Sequence, residues 1–140
     1  AEWGARPVPV DEILAVDADV LAPCALGGVL DAPTVEGLRV TVVCGAANNQ
    51  LAAPEAGDRL HGRGVAYVPD YVANAGGVIS GAVDLAGWDR GRMARALDGI
   101  GDTARAVFAK AADEAIPAWR AADRLAEERL NAAERARSSE

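Results

Sequence analysis

Lysine and histidine are almost missing from this chain, which carries Lys110 and His61 and no other of either kind. One histidine cannot build a His-based zinc site or a Ser-His-Asp triad, and no metal site is expected. His61 is expected near the end of a surface helix. Lys110 sits in Phe108-Ala109-Lys110-Ala111-Ala112, a helical setting without glycines or a polar cluster, and reads as a solvated surface residue. Arginine supplies nearly all the basic charge, which is more economically a compositional bias than a phosphate-binding device. Positive charge is outweighed in any case: the formal net charge of -7 argues against nucleic acid and against an anionic membrane surface as partners. Cysteine stops at Cys24 and Cys44, with no Cys-x-x-Cys spacing, so free thiols in a reducing compartment are expected in place of a disulfide. No apolar run is long enough to span a membrane and no basic-then-apolar leader opens the sequence, so the expected location is cytoplasmic.

The glycine fingerprint of dinucleotide binding, G-x-G-x-x-G between a strand and a helix, is absent as well. Its nearest approximation, Gly99-Ile100-Gly101-Asp102-Thr103-Ala104, falls inside a helical apolar stripe of Met93, Leu97, Ile100, Ala104, Val107, Phe108 and Ala111 and reads as close helix packing. A last helix is expected after Pro117, with Trp119, Ala122, Leu125, Ala126 and Leu130 on its apolar side. The polar stretch from Asn131 to Glu140 is expected to fray. At the other end, residues Ala1 to Val10 read as a helix end, with Gly4 able to cap it, and a short extended piece. Asp11 is then a plausible N-cap for Glu12-Ile13-Leu14-Ala15.

What is present is a repeated arrangement of apolar strands ending in small polar loops. Val40-Thr41-Val42-Val43-Cys44 runs into Gly45-Ala46-Ala47-Asn48-Asn49-Gln50-Leu51. Ala18-Asp19-Val20-Leu21-Ala22 runs into Pro23-Cys24-Ala25-Leu26-Gly27-Gly28, and Val65-Ala66-Tyr67-Val68 into Pro69-Asp70-Tyr71-Val72-Ala73-Asn74-Ala75-Gly76-Gly77. Few aromatics and an apolar half made mainly of Ala, Val and Leu suit helix-on-sheet layers. The separations between strands fit right-handed parallel crossovers better than hairpins. Open α/β sheets bind ligands at the carboxyl ends of their strands, and small residues there let a ligand reach the backbone.

In order, the runs APCALGG, GAANNQL, PDY and NAGGV, with AADRLAEERL near the end, resemble the amino-acid dehydrogenases acting on leucine, valine and phenylalanine and, more distantly, glutamate. The resemblance covers the chain from about Gly4 to about Leu130. It implies an α/β fold: the second half of a Rossmann-like doubly wound parallel sheet, followed by C-terminal helices. Residues 1–77 would be a partial NAD-binding domain, 78–136 a hinge and the C-terminal helices, and 137–140 a frayed tail. The implied reaction is NAD-dependent oxidative deamination of an apolar L-amino acid to a 2-oxo acid and ammonia. At 140 residues the chain is short for a two-domain enzyme. The fingerprint and the catalytic lysines and aspartate of the family would lie upstream of Ala1, in an amino-terminal domain, and no catalytic residue is expected here. The chain alone is expected to be inactive.

By resemblance, Cys24, Ala25 and Leu26, and then Ala46, Ala47 and Asn48, would line NAD. Asn48 or Asn49 would reach the substrate's amino group or the nicotinamide amide. The residues by themselves equally allow an Asn pair that caps a helix or closes a turn. Val78 and, one turn on, Gly81 would face the substrate side chain, and Asn74, Gly76 and Gly77 would form a hinge. Many relatives carry a larger residue where Gly81 stands, so this pocket would be wide. Gly87-Trp88 is more similar to the phenylalanine-specific members. Homo-oligomerisation is expected. Two rival readings remain: a non-catalytic nucleotide-binding or regulatory module, and one half of a split enzyme.

Overall fold

Parallel pairing with short crossovers fixes the architecture of this computed structural model, which describes residues 4–138. Three strands, β1 (Val20–Leu21), β2 (Val42–Val43) and β3 (Ala66–Tyr67), form one sheet in the order β1-β2-β3. Val20 pairs with Val42 and Val42 with Ala66, both in parallel. Regular pairing is shorter than the apolar runs suggest, because parallel bridges Asp17↔Arg39 and Leu30↔Leu51 continue it only as isolated contacts. Each strand is followed by helix: α1 (Ala32–Gly37) and α2 (Pro54–Gly62) after the first two, and then α3 (Asp70–Ala73), α4 (Gly76–Ala86), α5 (Arg90–Glu114) and α6 (Ala118–Arg137). The expected α/β class, a parallel sheet followed by C-terminal helices, is the observed one.

Local chemistry sets the helix ends. Asp31 caps α1, its Oδ1 accepting from the Thr34 amide at 2.8 Å, and that backbone bond holds its carboxyl below the usual aspartate range. Gly64, at φ +71, turns the chain out of α2 toward β3. The Arg63 guanidinium then donates to the Val35 and Leu38 carbonyls at the end of α1. Asp89 caps α5 through the Arg92 amide at 2.7 Å.

Two apolar clusters result. The first sits between the sheet and α1 and α2 and contains Leu30, Val35, Leu38, Val43, Leu60 and Tyr67. Trp119 of α6 packs against it and passes Gly57 so closely that a Cβ there would lie 2.4 Å from the indole. The second joins α3, α5 and α6 through Val72, Val107, Ala111, Ala121 and Ala122.

Several local expectations are corrected. Ile13–Ala15 is a 3-10 turn whose N-cap is Glu12, not Asp11, and no side chain caps it. The stretch from Asn131, expected to fray, is helical as far as Arg137, and Ser138 is its C-cap. Leu130 is 65% exposed, so the apolar side of α6 is packed only in its first turns. Lys110 is not simply solvated: its side chain is 17% exposed and bridges Glu114 at 2.8 Å and Glu128 at 2.7 Å. Hydrogen bonds to these two carboxylates raise the lysine's pKa. The helix end expected at the start of the chain falls on residues 1–3, outside those described, but Gly4 does have the left-handed conformation, φ +65, that a cap requires.

Candidate functional site

Because the strands are parallel, their three carboxyl-end loops meet at one edge. Leu21 leads into Pro23-Cys24-Ala25-Leu26-Gly27-Gly28, whose residues from Cys24 to Gly28 are exposed. The second loop is threaded onto the first. The Ala47 amide donates to the Pro23 carbonyl at 2.9 Å and the Gly28 amide to the Asn49 carbonyl at 2.7 Å. The Ala46 amide points at Cys24 Sγ at 3.4 Å. Only glycine fits at two of these crossings. A Cβ on Gly45 would lie 2.1 Å from the Pro23 carbonyl oxygen, and one on Gly27 2.5 Å from that of Asn48.

The third loop grips the second. Asp70, at the start of α3, accepts through Oδ2 from the Asn49 amide at 2.7 Å and through Oδ1 from the Tyr67 hydroxyl at 3.1 Å. Burial first, and then the neighbouring Asp70 charge, push the Tyr67 phenol well above its ordinary value. Asn74, which ends α3, donates through Nδ2 to Asn48 Oδ1 at 2.6 Å and to the Ala46 carbonyl at 3.4 Å. Asn49 has a positive φ of 53, the left-handed conformation that asparagine tolerates best among non-glycine residues. It therefore closes the turn, while its side chain remains exposed.

Gln50 was missed in the sequence and is central here. Fully buried, it donates through Nε2 to the carbonyls of Gly45 at 2.8 Å and Ala47 at 3.0 Å, bracing the loop from within. Asp70 was missed too. The PDY run marked its position, but the carboxylate's reach back by 21 residues to the Asn49 amide is a tertiary contact.

The sequence-singled residues thus divide. Cys24, Ala25, Leu26, Ala46, Asn48 and Asn49 share the exposed edge, and Asn74 joins them through Asn48. Ala47 is only 4% exposed and its amide is engaged, so its backbone carbonyl is also turned inward, toward Gln50. Val78 and Gly81 lie further on, along α4. Val78 is 81% exposed, and a Cβ on Gly81 would meet no atom within 4 Å. That face of α4 is open. Cys24 and Cys44 are both free thiols. The Gly99-Ile100-Gly101 run lies well within α5, behind no strand, which leaves it as helix.

Comparisons with known proteins agree with one another. Residues 2–138 match the family model for Glutamate/Leucine/Phenylalanine/Valine dehydrogenase. The leucine dehydrogenase of Geobacillus stearothermophilus is 45% identical over 98% of this chain and 37% of its own length. The valine dehydrogenase of Streptomyces coelicolor is 53% identical over 80% of this chain and 31% of its own. In structure, the L-tryptophan dehydrogenase of Nostoc punctiforme superposes with a TM-score of 0.90 at 39% identity, over 96% of this chain and 41% of that one. The chain spans less than two-fifths of the length of these curated relatives. With its ordered loops, parallel sheet and trailing helices all matched, the chain belongs to the Glutamate/Leucine/Phenylalanine/Valine dehydrogenase family.

Proposed function

We propose that this chain is the C-terminal part of an NAD-dependent L-amino-acid dehydrogenase, comprising the second half of the nucleotide-binding domain and the helices that return toward an amino-terminal catalytic domain. The observation that carries this reading is the convergence of three strand-end loops, held to each other by Ala47-Pro23, Gly28-Asn49, Asn49-Asp70 and Asn74-Asn48 hydrogen bonds. Such an edge suits a nicotinamide nucleotide. It is lined by exposed small residues, and it carries polar amide groups that a carboxamide or a ribose can meet. Cys24, Ala25, Leu26, Ala46 and Asn48 would hold the nicotinamide half, with the Ala47 main chain supporting the loop. When bound, that group supplies the ring that takes up the substrate's Cα hydrogen with its electron pair.

The substrate is an apolar L-amino acid, with Val78 and Gly81 facing its side chain and Asn48 or Asn49 near its polar end. Acid-base residues would come from the amino-terminal catalytic domain; the Lys110 ammonium is taken up by Glu114 and Glu128. Asn74, the C-cap of α3, and Gly76 and Gly77, which open α4, form the hinge. Val20, on β1, is 53% exposed, which supports cover of that face of the sheet by further chain or by another copy in a homo-oligomer. Two free thiols fit a reducing cytoplasm.

The test separates this reading from an independent binding module. The 140-residue chain incubated with NAD and leucine, valine or phenylalanine should give no NADH absorbance, and addition of an amino-terminal segment from a relative should restore substrate-dependent turnover. Turnover by the chain alone refutes the fragment reading. Tight NAD binding without any restoration of activity favours a regulatory module instead.

A further inference from the structure

The orientation of the Asn48 amide is decided by its neighbour and not by Asn48 itself. A backbone carbonyl can only accept, so the Asn74 atom that faces the Ala46 carbonyl at 3.4 Å must be its Nδ2. The same Nδ2 lies 2.6 Å from the Asn48 amide, and the Asn48 atom there must therefore be the acceptor, Oδ1. Exchanging O and N in both side chains would set the Asn74 oxygen against the Ala46 oxygen. With Oδ1 engaged, Asn48 Nδ2 is left without a partner among the described residues, on an exposed side chain at the ligand edge. Below it the loop cannot simply rotate, because Asp70 holds the Asn49 amide at 2.7 Å and Gln50 ties the Gly45 and Ala47 carbonyls.

From this geometry we propose that Asn74 is a positioning residue that fixes Asn48 as a pure hydrogen-bond donor, so that this point of the site selects an acceptor oxygen on its ligand. It acts through Asn48, from the C-cap of α3. The recognised chemistry is a carbonyl or carboxylate oxygen, on the nicotinamide carboxamide or on the 2-oxo acid. An ammonium or amino group is the wrong partner for it. The ligand half of this proposal rests on the nucleotide reading above; the orientation of Asn48 does not.

Two substitutions distinguish positioning from mere support. Asn74→Ala removes the donor and frees Asn48 to rotate. Asn74→Asp is nearly isosteric but offers only acceptors, so it gives up the 3.4 Å contact to the Ala46 carbonyl, and the Asn48 amide turns round, gives its NH2 to the carboxylate and presents Oδ1 outward. Side-chain amide NMR of the ligand-free chain reads this directly, after the backbone spectrum has shown that each variant is folded. The Asn48 NH2 protons should exchange with water as a free amide in the parent and in Asn74→Ala. In Asn74→Asp they should exchange on the order of tenfold more slowly. Neutral nicotinamide, titrated so that the introduced charge has little direct effect, should bind roughly threefold more weakly to Asn74→Ala and roughly tenfold or more to Asn74→Asp. Titration with 4-methyl-2-oxopentanoate tells whether the oxo acid is the acceptor source instead. Protected Asn48 NH2 protons in the parent, or unchanged exchange in Asn74→Asp, overturn the proposal. So does a larger binding loss in Asn74→Ala than in Asn74→Asp, which is the order that structural support alone would give. If neither probe shifts any resonance in the parent, the nucleotide reading fails while the exchange data still decide the positioning role.

Discussion

Substituting Gly45 by alanine should cost this fold more than any surface change, and the reason is geometric. The added Cβ would lie 2.1 Å from the Pro23 carbonyl oxygen, 2.5 Å from its nitrogen and 2.6 Å from its Cδ. These are backbone and ring atoms of the segment leaving β1, so no flexible side chain can move aside. Relief requires the two loops to separate, which stretches the Ala47-to-Pro23 bond of 2.9 Å and the Gln50-to-Gly45 bond of 2.8 Å. Overpacking in a tight interior costs about 1–3 kcal/mol, and each weakened buried hydrogen bond adds roughly 1 kcal/mol. A loss of about 3–5 kcal/mol follows from those contributions together. Urea unfolding followed by far-ultraviolet circular dichroism measures it, with Gly99→Ala as the control. Gly99 is helical with nothing within 4 Å of an added Cβ, so that change should stabilise by about 0.5–1 kcal/mol. A Gly45→Ala variant within 1 kcal/mol of the parent, by the same linear extrapolation, would refute the close-approach argument.

The chain has two tyrosines, and both should keep their protons past pH 10. Burial is the first cause at Tyr67, followed by the Asp70 charge; at Tyr71, which is half exposed, the partial burial of the phenol is joined by its hydrogen bond to Asp123 at 2.6 Å. Because the folded values lie above the unfolded value of 10.0, the associated stability is complete below pH 10 and is lost as pH rises beyond it toward the folded values. Tyrosinate absorbance should therefore appear together with alkaline unfolding; a separate earlier rise while the chain is still folded would contradict this. In a chimera with the amino-terminal half of a relative, Gly81→Val should shift preference from bulky toward smaller substrates by roughly tenfold to two-hundredfold in relative kcat/KM. An unchanged phenylalanine-to-valine ratio would remove Gly81 from the pocket.

The sequence by itself determined the class and the order of the parts. Apolar runs around Val20, Val42 and Ala66, separated by capped helical stretches, admit parallel crossovers and little else, and the pairing of Val20 with Val42 and Val42 with Ala66 follows them. The glycines at 27 and 45 marked loops, and the alternation of period marked α5 and α6. Tertiary structure decided what those loops touch. Nothing local to Asp70 shows that its carboxylate must satisfy the Asn49 amide, or that Gln50 is wholly buried and turned back on its own loop. Polar side chains are read from sequence as surface because burial of an unpaired amide is costly, and the Gly45 and Ala47 carbonyls that receive the Gln50 NH2 come into range only once the loop after β2 has folded back on itself. The same holds for Lys110, whose partner Glu128 lies on another helix, and for Asn48, whose two faces are chemically different only because Asn74 stands against one of them.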